Sequence, residues 1–479
     1  MNTSLGALEI TRPEEAGFRT AELEARFGPV PDRLPGSLES LPPAWRRFVY
    51  LLERAGLIGE ITRGRTPPGQ PPLASFSVAP RLTTYDTDGH IPDRAFARGV
   101  ALREPDALSK ALGEFLERYA LAIFRESDFV VGSPARLTRR GLRFLDPRRV
   151  AGFSEDQRRW FPERGFDDLS CLRWVEGRSL TTKQSVLLLA QLVFWNDCGT
   201  CGELDEPFLR ERNTNGAAGG FSRDQALTAA LYELVERDAF LLRWLHDCPP
   251  PRIEVRGVAD PDLAALIGMA RRHDIEPVFL DTTSDLGIPS CVCVTLSDRP
   301  GEPRLVCGGA ANLDPVAALR RSLTESLGVR AWAKKYAPVC SLPPDYVPFR
   351  TRGIDQAARV GLWSSPRGPK SQPLLGGPRE LLAAFLRGGR SFPSPGETLA
   401  FLAAALRARG PNYEVFFYEA PHPLLRLAGY HVVRAIVPAL LPLYMNEENA
   451  PLGASRLHEA ATMIGGSPAA LNPLPHPFP

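Results

Sequence analysis

Residues 213–240 read NTNGAAGGFSRDQALTAALYELVERDAF, a glycine-rich turn that runs directly into a helical pattern. Glycines allow the backbone of such a turn to approach a ligand closely. A helix is predicted to follow, with Ser222 as its N-cap, because apolar residues then recur at helical spacing. Glu233, Glu236 and Arg237 lie at i, i+3 and i+4 of this helix and therefore share one surface. Two carboxylates this close repel each other unless a cation lies between them.

The same helical pattern occurs three times in the chain. The segments are ALSKALGEFLERYALAIF at 107–124, ALTAALYELVERDAFLLR at 226–243 and AALRRSLTESLGVR at 317–330. They keep one phase, so the apolar stripe leads to Glu114, Glu233 and Glu325 in turn. Arg321 lies one turn before Glu325, on the same face of the third helix. The repetition predicts three equivalent helices, each with a carboxylate just past its buried stripe.

Three such helices can converge on one polar pocket. Several glutamates and arginines in one place suit a divalent cation with a polyphosphate, because Mg²⁺ takes oxygen ligands and arginine forks onto phosphate oxygens. The alternative is a repeat kept for packing, whose charged residues are simply solvated.

Composition and charge restrict the class of protein. A chain of 479 residues can bury a full core and can hold more than one domain. The formal net charge of +2 indicates neither a nucleic-acid nor a membrane partner. No apolar run reaches the roughly 18 residues of a membrane span, and the N-terminus lacks the layout of a secretory signal. We therefore expect a cytoplasmic protein.

Eight cysteines are scattered along the chain, which argues against a disulfide framework. Cys198 and Cys201 form a CGTC that could be a redox pair or half of a zinc site, but no second CxxC accompanies it. Cys291 and Cys293 alternate in an apolar SCVCVTL and are predicted to be core residues.

Helices alternate with strands without a strict βαβ rhythm, which predicts an α+β fold. Residues 1–80 are predicted to be a proline-rich N-terminal appendage, with a helical piece at 43–61, and residues 81–479 to be the main domain. Residues 363–397 are rich in proline, glycine and serine and are predicted to be a surface loop.

Prolines alternate at the end of the sequence, at 473, 475, 477 and 479. Proline forbids helix and favours an extended polyproline conformation. A frayed segment is one interpretation. A pre-extended segment could also insert into a pocket with little loss of entropy.

Taken together, these motifs resemble the YcaO-domain cyclodehydratases of the azoline-forming kind. The resemblance rests on the 213–240 stretch, ALGEFLERYALAIF, ALRRSLTESLGVRAW and the PHPFP ending, and it covers roughly residues 85–479. It implies a YcaO-type fold in which pseudo-repeated helix and strand units surround a central ATP pocket, with residues 81–479 as the catalytic domain. It also implies an enzyme dependent on ATP and Mg²⁺, which converts Cys, Ser or Thr of a ribosomally made precursor peptide to thiazoline or oxazoline.

The resemblance assigns roles to residues of this sequence. Those implied to bind ATP are Glu114, Glu117, Arg118, Asn215, Glu233, Glu236, Arg237, Arg321 and Glu325. The five glutamates among them are implied to hold Mg²⁺, and the prolines of the tail, Pro475, Pro477 and Pro479, to serve catalysis. The sequence has no GxxxxGK[ST], so a P-loop is not expected.

Three positions depart from the family pattern: Val100 replaces a common lysine, Phe221 a common asparagine and Gly328 a common glutamine. Nucleotide binding is expected to survive, with contacts to the base and ribose the ones affected. Two other function classes stay open: a related ATP-using activation such as thioamide or amidine formation, and a scaffold that does not use ATP and positions a partner enzyme.

The resemblance also implies partners. These are the precursor peptide, an E1-like protein that binds the leader peptide and, as a further candidate, a flavin-dependent azoline dehydrogenase. A homodimer is expected.

Overall fold

The structure is a computed structural model that describes residues 25, 41, 43–80, 97–195, 206–336, 341–370, 372–422, 425–426, 429–460, 464–465 and 471–479. The helices of these residues are α1 (Pro43–Arg54), α2 (Glu104–Ala120), α3 (Pro134–Arg139), α4 (Glu155–Trp160), α5 (Ala190–Val193), α6 (Arg223–Leu245), α7 (Pro261–Arg272), α8 (Pro315–Tyr336), α9 (Gln356–Ser364), α10 (Gln372–Leu375), α11 (Leu382–Leu386), α12 (Pro395–Arg407) and α13 (Ser455–Glu459). The strands are β1 (Ile58–Arg63), β2 (Ala74–Pro80), β3 (Ala97–Ala101), β4 (Val130–Gly132), β5 (Leu172–Ser179), β6 (Ser185–Leu189), β7 (Ala217–Gly220), β8 (Arg252–Glu254), β9 (Glu276–Asp281), β10 (Ser290–Leu296), β11 (Leu305–Ala311), β12 (Arg379–Leu381), β13 (Phe416–Glu419) and β14 (His431–Ile436).

In this part of the chain the strands form three sheets. One has the order β1-β2-β3, a second the order β11-β10-β9-β8-β12, and a third the order β4-β5-β13-β14-β7 with β6 paired to β5. The described strand pairs are antiparallel except β12 with β8. Helices lie against these sheets without a regular βαβ alternation, and the predicted α+β class is confirmed.

Each predicted repeat helix follows directly after a strand, so the repeated unit is a strand and a helix. The three units are β3–α2, β7–α6 and β11–α8. Each helix packs on its own sheet and also touches a strand of the next unit: α2 reaches β7, α6 reaches β11, and α8 reaches β3. The three helices therefore close a ring, which brings their polar faces to the middle of the molecule.

Glycines in the strands allow this close packing. A Cβ at Gly308 of β11 would lie 2.3 Å from the Ser326 amide nitrogen of α8, closer than real side chains approach. A Cβ at Gly99 of β3 would lie 2.0 Å from the Ala107 carbonyl of α2. Helix and strand backbones are in direct contact at both places, which no larger residue permits.

The predicted helical piece at 43–61 ends earlier than expected. Helix α1 stops at Arg54, Gly56 follows with a positive φ of 77°, and the chain continues as β1. Apolar spacing alone did not reveal this change, because Leu57 and Ile58 are buried in either structure. Since β1 pairs with β2 and β2 pairs with β3, these residues join the sheet of the first repeat unit. The domain boundary at residue 80 stays a prediction.

The predicted surface loop at 363–397 is wrong in part. Helix α9 extends to Ser364, and α10, β12, α11 and the start of α12 lie within the segment. Strand β12 pairs with β8, while Trp363 and Phe385 are buried in the core. These elements are short, and the prolines and glycines between them interrupt the helical and strand periodicity from which they could have been predicted.

The described helices include none that combines the length and apolar character needed to cross a membrane.

Candidate active site

The strand of each repeat unit holds the glutamate of its own helix. A main-chain amide in the strand, or just before it, donates to the carboxylate: Arg98 to Glu114 Oε2 at 3.1 Å, Gly216 to Glu233 Oε2 at 3.3 Å and Gly309 to Glu325 Oε2 at 2.9 Å. One further bond joins two units, because the Gly219 amide of β7 donates to Glu117 Oε1 of α2 at 2.8 Å. Strand geometry therefore sets where these carboxylates lie.

Two of the helices neutralise a glutamate with an arginine one turn later. Glu114 binds Arg118 at 2.5 Å and Glu233 binds Arg237 at 2.6 Å. Both pairs have the i,i+4 spacing that the repeat predicts. The predicted N-cap is also confirmed, since Ser222 Oγ accepts from the Gln225 amide at 3.2 Å.

The carboxylates from the three helices lie close enough to affect one another. Burial, together with the charge of the nearby Glu233, raises the pKa of Glu117 to about 8. Burial raises the pKa of Glu236 well above its ordinary value, and the neighbouring Glu325 adds to this. Glu325 is exposed to solvent, yet its surroundings desolvate it and raise its pKa to about 7, which indicates a concave site.

Arg237 is the cation placed among these groups. Its charge lowers the pKa values of Glu233, Glu236 and Glu325 and so opposes the effect of burial. Its Nε and Nη1 are buried and have no hydrogen-bond partner among the described residues. Two guanidinium donors are therefore available to an anion in the site.

Asn215 and Arg321 occupy different positions at this site. Asn215 is buried and donates through Nδ2 to the Leu443 carbonyl at 2.7 Å, while its Oδ1 has no partner in the described structure. Arg321 is exposed, and its charge reaches Glu236 and Lys110. The predicted ATP-binding residues are thus brought to the meeting point of the three units. Their individual roles stay predictions.

Lys110 belongs to the same cluster and was missed by the prediction. Its Nζ donates to the Val100 carbonyl at 3.2 Å. Burial lowers the pKa of Lys110, Arg321 lowers it further, and Glu325 opposes the change. The signal was present in the sequence, because Lys110 precedes Glu114 by one turn just as Arg321 precedes Glu325.

Arg434 was also missed. It lies on β14, is 5% exposed and donates through Nε to the Leu192 carbonyl at 2.9 Å. Burial lowers its pKa to about 9, and Glu233 opposes that shift. A single arginine within the apolar YHVVRAIVP was the available signal, since a buried charge requires a partner.

The three departures from the family pattern are in contact with other parts of the chain. A Cβ at Gly328 would lie 3.2 Å from Val100 Cβ, so the small residue at 328 makes room for the valine. Phe221 packs edge-on against Trp45 of α1 and Tyr430, with ring centroids 5.0 and 5.1 Å away. Gly328 and Val100 thus compensate each other in side-chain volume, and Phe221 packs against helix α1.

The proline segment at 473–479 reaches the carboxylates. A Cβ at Gly309 would lie 2.5 Å from the Phe478 ring and 2.9 Å from Glu236 Oε1. Phe478 is 2% exposed and packs on Phe240 with a centroid distance of 4.8 Å. Pro475 and Pro477 are buried and Pro479 is half-buried.

One cavity lies apart from this site. A cavity of about 640 Å³ is lined in part by Arg148, Asp168 and His458 and contains none of the predicted site residues. Arg148 lies 3.7 Å from Asp168, so that cavity carries charges that are already paired. The CGTC of Cys198 and Cys201 lies outside the described residues.

Comparison with known proteins identifies the family. The family described as YcaO cyclodehydratase, ATP- and Mg²⁺-binding, matches residues 98–441. The chain belongs to the YcaO family. A protein of Methanothermobacter thermautotrophicus is 28% identical over 281 residues, which are 58% of this chain and 67% of that protein.

Solved YcaO structures share the fold. A heterocyclase solved in complex with substrate and cofactor matches with a TM-score of 0.71 and 21% identity, and the match covers 95% of this chain and 60% of that chain. YcaO from Methanopyrus kandleri, bound with AMPPCP and Mg²⁺, matches with a TM-score of 0.55 and 21% identity, over 85% of this chain and 90% of that one. The YcaO-type fold that the family resemblance implies is confirmed.

ATP and Mg²⁺ are the cofactors of the YcaO family, and the residues of this site fit them. Carboxylates with raised pKa values lie beside one another, and a divalent cation would relieve that repulsion. Among the described residues no three acidic, histidine or cysteine side chains group tightly enough to hold one metal ion. Mg²⁺ is commonly held by one or two carboxylates together with substrate phosphates, so paired glutamates suffice.

Proposed function

We propose that this YcaO protein is an azoline-forming cyclodehydratase. Its substrate is a ribosomally made precursor peptide, and its product carries thiazoline or oxazoline in place of Cys, Ser or Thr. The side-chain sulfur or oxygen of that residue attacks the preceding backbone carbonyl carbon. When bound, ATP supplies a phosphoryl group to the carbonyl oxygen, which then leaves as phosphate.

The position of the proline segment is the observation that favours this reaction. Phe478 lies against Gly309, whose amide binds Glu325, and beside Glu236. Residues 475–479 therefore border the carboxylates, and they add apolar surface and exclude water there. A segment that only frayed would have no such contacts.

The charged residues divide into two roles in this proposal. The five glutamates would hold Mg²⁺, which would offset the negative charge of the phosphates. They are Glu114, Glu117, Glu233, Glu236 and Glu325. The cations of the site then bind phosphate oxygens and stabilise the negative charge that develops on the peptide oxygen. They are Arg118, Arg237 and Arg321. Asn215 binds the nucleotide through its free Oδ1.

Mass spectrometry of the product tests the reaction class. The purified chain is incubated with ATP, Mg²⁺ and a peptide that contains Cys, Ser and Thr, in the presence of a leader-binding partner. Loss of one water per modified residue, with one phosphate released, supports azoline formation. Exchange of an oxygen for sulfur would indicate thioamidation instead. Failure to bind nucleotide would favour the scaffold.

We also propose that the protein works with a partner in the cytoplasm, as a homodimer. An E1-like partner would bind the leader peptide, and a flavin-dependent dehydrogenase would oxidise the azoline. Slow turnover by the single chain, restored by the leader-binding partner, is the expected result. Fast leader-dependent turnover by the chain alone would contradict the dependence.

A further inference from the structure

Each proline of a proline-rich segment can be held by a main-chain hydrogen bond only through its carbonyl, because proline has no N–H. Each bond therefore needs a donor from the surrounding protein. Three donors come from residues 346–363. Tyr346 Oη donates to the Pro473 carbonyl at 2.9 Å, and Trp363 Nε1 donates to the Pro475 carbonyl at 2.8 Å. Arg359 Nη1 lies 3.4 Å from the Phe478 carbonyl.

We propose that Tyr346, Trp363 and Arg359 form a recognition site for an alternating-proline segment, which residues 473–478 of this chain fill. They are positioning residues, because they touch the segment and through it fix Phe478 beside Gly309 and Glu236. The catalytic consequence rests on the proposed function. The recognition itself does not, since it concerns only how the segment is bound.

The Arg359 part of this site is built for a fixed occupant. Arg359 is fully buried on α9, one turn before Trp363. Its Nη1 lies 2.6 Å from His476 Nδ1, while His476 Nε2 lies 3.1 Å from the Tyr444 carbonyl. Burial lowers the pKa of His476 well below its ordinary value, and Arg359 lowers it further. The imidazole is therefore neutral, and Arg359 Nη1 contacts both of its ring nitrogens.

The donors match the geometry of the segment. Tyr346 and Trp363 bind carbonyls two residues apart, and Arg359 reaches the carbonyl three residues further on. An extended proline-rich chain leaves its carbonyls free of internal hydrogen bonds and loses little entropy when it binds. An aromatic ring completes the site, since Phe240 packs on Phe478 with a centroid distance of 4.8 Å.

The chain contains matched controls for two of these donors. Trp244 is buried and packs edge-on against Trp363 at 5.6 Å, but its Nε1 has no partner among the described residues. The hydroxyl of Tyr444 is likewise buried without one. Trp363→Phe and Trp244→Phe therefore remove similar volumes from one core, and only the first removes a bond to the segment. Tyr346→Phe and Tyr444→Phe form the second pair.

Release of residues from the end of the purified 479-residue chain by carboxypeptidase Y, followed by intact mass, tests the proposal. The chain is kept with Mg²⁺ and ATP during digestion. We expect Tyr346→Phe to speed release about fivefold, the effect of losing one net hydrogen bond, and Trp363→Phe to speed it more. Trp244→Phe and Tyr444→Phe should release residues at the rate of the unmodified chain. Arg359→Lys keeps the charge but loses the fork, and it should also speed release.

Equal release rates within each pair would overturn the proposal, because burial alone would then hold the segment. Azoline formation, measured on the same variants, separates this result from the proposed function. Faster release with unchanged cyclodehydration would leave the recognition site in place and contradict the catalytic role of the segment. Thermal melting shows whether each variant folds.

Discussion

Lys110 supplies positive charge near position 100, where this chain has valine instead of the lysine that the family resemblance implies. The lysine common at position 100 is valine here, yet Lys110 Nζ lies 3.2 Å from the Val100 carbonyl. Its charge therefore reaches the region from a neighbouring helix. The site keeps a cation although the family position has changed.

We predict that Lys110→Ala weakens Mg²⁺–ATP binding about tenfold, the effect of losing roughly one charge-assisted contact. Lys334→Ala is the control, because Lys334 pairs with Glu302 at 2.8 Å instead. Isothermal titration of both variants measures the affinities. Equal affinities for the two would show that Lys110 does not contact the nucleotide.

The raised pKa values predict a pH dependence of Mg²⁺ binding. Glu325 and Glu117 have pKa values of about 7 and about 8 in the folded protein, above the ordinary value of 4.5. Between pH 4.5 and these raised values, the folded, unliganded protein binds more protons than the unfolded chain. The stability that the protonated glutamates contribute is therefore lost as pH rises through this range. Mg²⁺ requires the ionised form, so its binding releases protons and strengthens as pH rises through about 7 and about 8.

Calorimetry of Mg²⁺–ATP binding in buffers of different ionisation enthalpy measures this proton release directly. Glu325→Gln should reduce the number of protons released. A proton count that is the same at all pH values would contradict the assignment of these glutamates to the metal.

The strand before each repeat helix was the element that the sequence did not reveal. Helical spacing predicted α2, α6 and α8 and the carboxylates on them, because that period is strong and repeats three times. Strands β3 and β7 are short and contain glycine, so their pattern is weak. Without the strands, the hydrogen bonds from main-chain amides that orient Glu114 and Glu325 could not be predicted. The aromatic packing of Phe221 joins residues far apart in sequence, and local spacing carries no information about it.

The repeat helices predict the effect of removing one carboxylate each from α6 and α8. Glu236→Gln and Glu325→Gln should abolish ATP-dependent phosphate release while melting temperatures barely change. Both glutamates have raised pKa values, so an uncharged amide costs the folded state little. Glu254→Gln, which removes only a surface pair with Arg379, should keep full phosphate release. Wild-type turnover in either site variant would contradict the shared pocket.

The contact between strand and helix backbones gives a stability prediction. Gly308→Ala should destabilise the protein by about 3 kcal/mol, because its Cβ would overlap backbone atoms of α8 and force the elements apart. Gly268→Ala lies in the middle of α7, where the nearest atom is 3.4 Å away, and should stabilise it by about 1 kcal/mol. Urea unfolding compares the two, and equal stabilities would show that β11 can retreat from α8.

At the scale of the whole molecule, we predict that loss of the proline segment affects cyclodehydration and nucleotide binding to different extents. Deletion of residues 476–479 should reduce cyclodehydration by orders of magnitude, while Mg²⁺–ATP affinity falls far less, because the glutamates and arginines are on other elements. Product mass and nucleotide titration measure the two effects. An unchanged reaction rate would mean that the segment has no part in catalysis, and equal loss of nucleotide binding would mean that its role is structural.

The aromatic contact of α1 with Phe221 and Tyr430 has a consequence for biosynthesis. The ribosome makes α1 before the residues that cover Trp45 and Phe48, which are synthesised much later. Strand β7 likewise can pair only after β14, its antiparallel neighbour, has been synthesised. Contacts that span so much of the chain form slowly and leave apolar surface exposed in the meantime. A chaperone that protects α1 during translation should therefore raise the yield of folded protein, and the candidate site is complete only after β14, which carries Arg434, has emerged.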